Sequence, residues 1–193
     1  MSIYTEKICL VGDSITGKST FLYYLNTGCF REKDIPTIGI DFGIKNFNFY
    51  NKTIKWQVWD TTGNGRFTNM LNNYYKNISI FLLFFDTSNK ESFKNVYQWL
   101  TNIKRYNTRP HKIYLIGNKI DLGINVPKYQ IDEFCKKNNI EYFELTLKNQ
   151  ELTNNLIKNI NLYINQNITY QDAIKEINNT NIKPCPRFCW WLF

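Results

Sequence analysis

The sequence predicts a three-layer α/β sandwich: a six-stranded, mostly parallel sheet with one antiparallel edge strand and helices on both faces. Three observations predict it. Short apolar runs rich in β-branched and aromatic residues recur at residues 8–11, 54–59, 78–85 and 113–116. Each has the length and near-continuous apolarity of a strand buried on both sides. Helical spacings separate them: Phe93, Val96, Trp99, Leu100 and Ile103 fall three or four apart, as do Leu152, Leu156, Ile160 and Ile164. Such alternation is that of a parallel sheet covered by helices. The exception is residues 42–50 and 54–59, joined by Tyr50-Asn51-Lys52-Thr53, a hairpin connection that makes one pair antiparallel.

The chain has 193 residues, the size of one compact domain with a short tail. With 43% hydrophobic and 21% charged residues, its composition is globular rather than disordered. From Thr169 onward the apolar period is lost, and Pro184 and Pro186 stop any continuing helix. The expected division is therefore a domain over residues 1–168 and a flexible tail over 169–193. The longest apolar run, Ile80-Phe81-Leu82-Leu83-Phe84-Phe85, is far short of the roughly 18–20 residues that span a bilayer. The N-terminus lacks the basic-then-apolar layout of a secretory signal, and Ser2 stands where myristoylation needs glycine. Neither secretion nor membrane spanning is expected.

Five scattered cysteines (Cys9, Cys29, Cys135, Cys185, Cys189) suit reduced thiols better than a disulfide framework. His111 is the one histidine, so no zinc set forms and no Ser/His pair is arguable. The net charge of +8 is spread along the chain, without a basic tail. The 27 asparagines run through every kind of segment, which reads as a bias of coding composition, so no nucleic-acid partner is expected.

Three motifs carry chemistry. Gly12-Asp13-Ser14-Ile15-Thr16-Gly17-Lys18-Ser19 fits G-x-x-x-x-G-K-[ST], between the strand at 8–11 and a helix expected from Ser19 to about Asn26. The glycines let successive N–H groups face a phosphate, and the helix start adds its positive dipole end. Lys18 would neutralise the β- and γ-phosphates and Ser19 would ligate Mg²⁺, with Thr20 completing the phosphate-binding set. Asp60-Thr61-Thr62-Gly63 follows the strand ending at Trp59. Asp60 can hold Mg²⁺ through a water, and the Gly63 N–H can meet the γ-phosphate. Alone, D-x-x-G is a common turn, and its place after the phosphate loop is what gives it weight. Asn118-Lys119-Ile120-Asp121 closes the strand at 113–117. Asp121 can accept two N–H bonds from guanine, whereas adenine would leave a buried carboxylate unpaired. The motif therefore selects GTP over ATP, at the strand ends where such sheets bind ligands.

With these motifs the chain resembles the Ras-like small GTPases over residues 3–168, and within them the Rab branch. Thr37-Ile38-Gly39-Ile40-Asp41-Phe42 is similar to the Rab first switch, and residues 56–67 are similar to strand three and the second switch. Tyr74-Tyr75, Phe85-Asp86-Thr87-Ser88 and Ser92-Phe93-Lys94-Asn95-Val96, running on to Trp99, also match. The resemblance implies that Thr37 binds Mg²⁺ and the γ-phosphate, so that the metal set is Ser19, Thr37 and Asp60. It implies that Phe30 packs edge-on against guanine, and that residues 144–148, with Thr146, Leu147 and Lys148, form the last base-contacting loop. It places Phe42, Trp59 and Tyr74 at the aromatic triad that effectors read, although core packing would also explain those rings. Asn64, Gly63, Thr37 and Lys18 would make up the catalytic set.

Four departures stand out. Asn64 replaces the family's glutamine, which orients the attacking water. Its amide sits on a stem one methylene shorter, falling roughly 1–1.5 Å short, and a misplacement of that size costs on the order of 10²-fold in rate. Gly65, where glutamate is usual, should loosen the second switch. Ile15 puts a stiff β-branched side chain where Gly or Ala is usual, so weaker affinity and faster exchange are expected. Leu145 and Leu147 replace smaller residues in the base loop, where backbone N–H groups do the work.

The tail departs too, since Cys185 and Cys189 meet neither a paired-cysteine nor a four-residue prenylation rule. Off-register prenylation, palmitoylation, and an unlipidated aromatic end through Trp190-Trp191 all stay open.

The expected function is a monomeric Rab-like GTP/GDP switch with Mg²⁺, hydrolysing GTP slowly in vesicular membrane trafficking. It would meet effectors, an exchange factor and an activating protein on the cytoplasmic face of an intracellular membrane, cycling with cytosol. The alternative is a hydrolysis-poor binding module acting as a decoy for effectors.

Overall fold

A computed structural model describes residues 2–31, 36–49, 52–65 and 73–179. The elements in chain order are β1 (Ser2–Gly12), α1 (Lys18–Thr27), β2 (Ile40–Phe49), β3 (Lys52–Thr61), β4 (Ile80–Asp86), α2 (Lys90–Tyr106), β5 (Lys112–Asn118), α3 (Lys128–Asn138), β6 (Glu141–Glu144) and α4 (Gln150–Asn179). The six strands form one sheet in the order β2-β3-β1-β4-β5-β6. Every pairing is parallel except β2 with β3, which puts the antiparallel strand at an edge.

Alternation along the central strands builds two cores. Ile8 and Leu10 of β1 face a cluster with Phe21 and Leu25 of α1 and Leu156, Ile160 and Ile164 of α4. Cys9 and Val11 face the opposite cluster, with Phe93, Val96 and Trp99 of α2 and Ile131 and Phe134 of α3. The period of two along each strand forces this split, because neighbouring side chains leave on opposite faces. The helix following β1 and the helix following β4 therefore lie on opposite sides of the sheet. The crevice between those strand ends is where a doubly wound sheet accepts a ligand.

Local chemistry fixes α2 well. The Asn89 side chain caps it by accepting from the Glu91 and Ser92 N–H groups, and Lys104 and Arg105 sit in the last turn, where the helix dipole favours cations. In the first core, the buried Trp56 indole donates to the Asn161 side-chain oxygen at 2.9 Å, so its polar atom is satisfied.

The structure corrects several sequence boundaries. The first helix starts at Lys18 and ends at Thr27. Lys52 and Thr53 belong to β3, with Lys52 paired to Phe49, leaving a two-residue connection of Tyr50 and Asn51 that lies outside the described residues. The last helix runs to Asn179, into the stretch read as tail. Ile168 is buried in the first core, and Thr169 and Tyr170 after it are exposed.

Candidate functional site

The loop after β1 is built to turn tightly. Gly17 has φ +100°, and a Cβ there would collide with the Asn118 side-chain nitrogen. Asn118 in turn donates from Nδ2 to the Thr16 carbonyl at 2.9 Å, tying the third motif to the first. Lys18 is almost fully buried, with Nζ donating to the carbonyls of Gly12 at 2.8 Å and Asp13 at 2.6 Å. Burial pushes its pKa down to about 8, while Asp60 and Asp13 oppose that shift. An ammonium held in so dry a place gains most from an anion set against it.

Ser19, Thr37 and Asp60 converge beside it. The Ser19 hydroxyl lies 2.5 Å from both Thr37 Oγ1 and Asp60 Oδ2, and Thr37 Oγ1 is 3.3 Å from the same carboxylate oxygen. Asp60 is fully buried, and its other oxygen, Oδ1, has no hydrogen-bond partner among the described residues. Burial raises its pKa, against hydrogen bonds from Ser19 and Thr37 and the charge of Lys18. An all-oxygen set with an orphaned buried carboxylate oxygen suits a hard divalent cation such as Mg²⁺.

Gly63 presses against the phosphate loop. Its carbonyl accepts from the Ser14 N–H at 3.2 Å, and a Cβ at Gly63 would overlap the Asp13 and Ser14 backbone. Asn64 is exposed beside it, its N–H 3.4 Å from Thr62 Oγ1. Ile15 has φ +66° and stays half exposed at 49%. A β-branched residue in the left-handed region is strained, which is the cost expected from its sequence position.

The base end is more open. One cleft is lined by Gly17, Thr20, Phe30, Asn118, Asp121 and Leu147, with Lys119, Thr146 and Lys148 also on its wall. Lys148 Nζ lies 2.8 Å from Asp121 Oδ2 and 5.7 Å from the centre of the Phe30 ring. The hydrogen bond from Lys148 is the main cause of a lowered Asp121 pKa. The Asp121 side chain keeps 28% of its accessible surface, on the short turn Ile120–Leu122 at the rim. Water leaves this carboxylate only when a base covers it. Asn118 Oδ1, by contrast, is buried without a hydrogen-bond partner among the described residues. Lys119 has φ +64° and pairs with Asp86 at 3.3 Å. Leu145 and Leu147 are buried in the first core, and Leu147 also stands on the cleft wall, its Cδ1 3.8 Å from where a Cβ on Gly17 would lie.

Phe42 and Trp59 have ring centres 4.6 Å apart, and Trp59 and Tyr74 5.8 Å, so the three aromatics are contiguous. Phe42 and Tyr74 are exposed. His111 sits before β5, at the end of the sheet away from the phosphate loop, with its ring against Phe81 and Nδ1 at the Arg109 carbonyl. Arg66 and Phe67 lie outside the described residues, as do Cys185, Cys189, Trp190 and Trp191. No helix among the described residues is long and apolar enough to cross a membrane.

Sequence reasoning missed one group. Asn95, read only within the segment that matches the Rab branch, and Trp99, read there and in the apolar spacing of α2, both donate to the Asp13 carboxylate, at 2.8 and 2.7 Å. An asparagine among apolar positions, four residues before a tryptophan, was the signal available.

The family model described as "Ras family" matches residues 7–166. The Ras-related protein Rab-11C of Dictyostelium discoideum is 37% identical over 153 residues, covering 78% of this chain and 68% of that protein. The GTP-binding protein ypt1 of Schizosaccharomyces pombe is 37% identical over 147 residues, covering 75% and 72%. The Ras-related protein Rab-10 of Diplobatis ommata is 33% identical over 178 residues, covering 91% and 87%.

Proposed function

Because this chain belongs to the Ras family, as a Rab-like small GTPase, we propose that it works as a slow GTP/GDP switch in vesicle trafficking. The convergence of Ser19, Thr37 and Asp60 next to the buried Lys18 carries this reading. Guanine nucleotide binds with its phosphates in the loop of residues 12–20 and its base in the cleft between Phe30 and Asn118. Lys18 neutralises the β- and γ-phosphates, and loop N–H groups cradle them. Ser19 and Thr37, with Asp60 behind them, would hold Mg²⁺, which neutralises charge gathering on the phosphate oxygens. Asp121 and Asn118 read the base edge, and backbone N–H groups of residues 146–148 meet the guanine oxygen.

Thr37 and Gly63 sense the γ-phosphate, so its loss frees both switch segments. Effectors read that change at Phe42, Trp59 and Tyr74. Asn64 faces the same region on a stem too short to hold the attacking water well, so cleavage is slow unless an activating partner supplies an arginine. Residues 1–168 form the GTPase domain. The tail from 169 brings it to an intracellular membrane through lipid on Cys185 or Cys189, or through its aromatic end.

The strained Ile15 and the short Asn64 favour a second reading, a GTP-holding module that engages effectors and hardly turns over. Multiple-turnover GTPase assays with and without a cognate activating protein separate the two. Acceleration by several orders of magnitude supports the switch, and a flat response supports the decoy. Intact mass of the protein from a eukaryotic host reads out the tail, since each lipid adds a defined mass.

A further inference from the structure

The side chain of Asp13 does not face the nucleotide cleft. Its two carboxylate oxygens are taken by two donors from one helix: Asn95 Nδ2 reaches Oδ2 at 2.8 Å, and Trp99 Nε1 reaches Oδ1 at 2.7 Å. Asn95 and Trp99 are one turn apart on α2, so they project from the same face. Trp99 is anchored in the second core at 4% exposure, which leaves its indole N–H little freedom to turn elsewhere. Held at both oxygens, the carboxylate cannot rotate, and these charge-assisted bonds are among the stronger ones a side chain makes.

The backbone of the same residue does different work. The Asp13 carbonyl accepts Lys18 Nζ at 2.6 Å and Thr16 Oγ1 at 2.9 Å. The next residue's N–H bonds the Gly63 carbonyl at 3.2 Å. Asp13 is thus the joint between α2, the phosphate-binding lysine and the glycine of the second motif.

We infer that Asn95 and Trp99 are positioning residues for phosphate binding: by clamping the Asp13 carboxylate they fix the carbonyl that aims Lys18 at the nucleotide. This rests on the reading of Lys18 as the β/γ-phosphate ligand. The consequence is selective. Weakening the clamp loosens the grip on nucleotides that carry a β-phosphate and spares one that carries only an α-phosphate. A helix bond that merely added stability would show no such preference.

The test uses Trp99→Phe, which keeps an aromatic ring and removes the N–H, and Asn95→Ala, each in the full-length protein with Mg²⁺. Affinities for GDP, GTP and GMP are measured by competition, alongside the melting temperature. GDP and GTP affinities are expected to fall about ten-fold in each variant, with GMP affinity within about two-fold of wild type. In an Asp13→Ala background, Trp99→Phe should add nothing further, because the clamp has already lost its target. Equal losses for all three nucleotides, or a lower melting temperature with unchanged GDP-to-GMP preference, would overturn the inference. Lys18→Ala is the separate control on the reading beneath it. If it loses GDP and GTP but not GMP while the α2 variants lose none, the clamp fails and the role of Lys18 stands. If Lys18→Ala itself keeps wild-type preference for GDP over GMP, the role of Lys18 fails.

Discussion

The two ends of the nucleotide cleft tolerate unusual residues in opposite ways. At the base end, Leu145 and Leu147 stand where small residues are usual; both are packed into the first core, and Leu147 lines the cleft as well. At the phosphate end, Ile15 and Asn64 have nowhere to go. Ile15 is held at φ +66° with half of its surface in the open, and Asn64 is exposed beside Gly63. Where the backbone makes the contacts and the side chain can turn inward, a larger residue costs little. Where the loop must wrap a phosphate, or an amide must reach a water, each atom of the side chain counts.

That contrast can be broken in order of size. The largest effect is expected at Asp121, the base-end residue whose side chain rather than backbone does the work. Asp121→Asn should lower GDP affinity by about 10³-fold or more while leaving ADP binding as weak as before, read by competition with a fluorescent nucleotide. Unchanged GDP affinity would remove Asp121 from base recognition. Next comes Leu145→Ala, which opens a cavity in the core. It should destabilise the fold by about 2–5 kcal/mol in denaturant unfolding, with the guanine-over-adenine ratio retained. A collapse of that ratio would show that the bulk at the base end shapes the cleft after all. The smallest effect is expected at the strained position. Ile15→Gly relieves a left-handed β-branched residue, adding on the order of 1 kcal/mol of stability and slowing GDP release several-fold. An unchanged release rate would mean that the strain does not reach the nucleotide.

Legibility in the sequence followed the same physical lines. The central strands β1, β4 and β5 and the helix α2 were readable because burial on both sides, or on one face, imprints a period. β6 was not located, since Glu141–Glu144 carries no apolar run and is at most half-buried. α3 escaped as well, with only Ile131 and Phe134 fully buried on it. The far end of α4 was not read as helix because the apolar period used to find helices breaks at Thr169. In the site, the glycines and Lys18 were legible because few residue types can make those turns or carry that charge. The exposure of Asp121 and the clamp on Asp13 were not. The first depends on where a three-residue turn sets a side chain, and the second on two residues whose spacing also serves ordinary packing.

The central claim is that the phosphate end grips GTP in full but reaches too short to cleave it quickly. Single-turnover GTP cleavage by the wild-type protein and by Asn64→Gln, measured side by side with Mg²⁺ and no partner, tests it most directly. A variant faster by about 10²-fold is the predicted result, and equal rates would contradict the account.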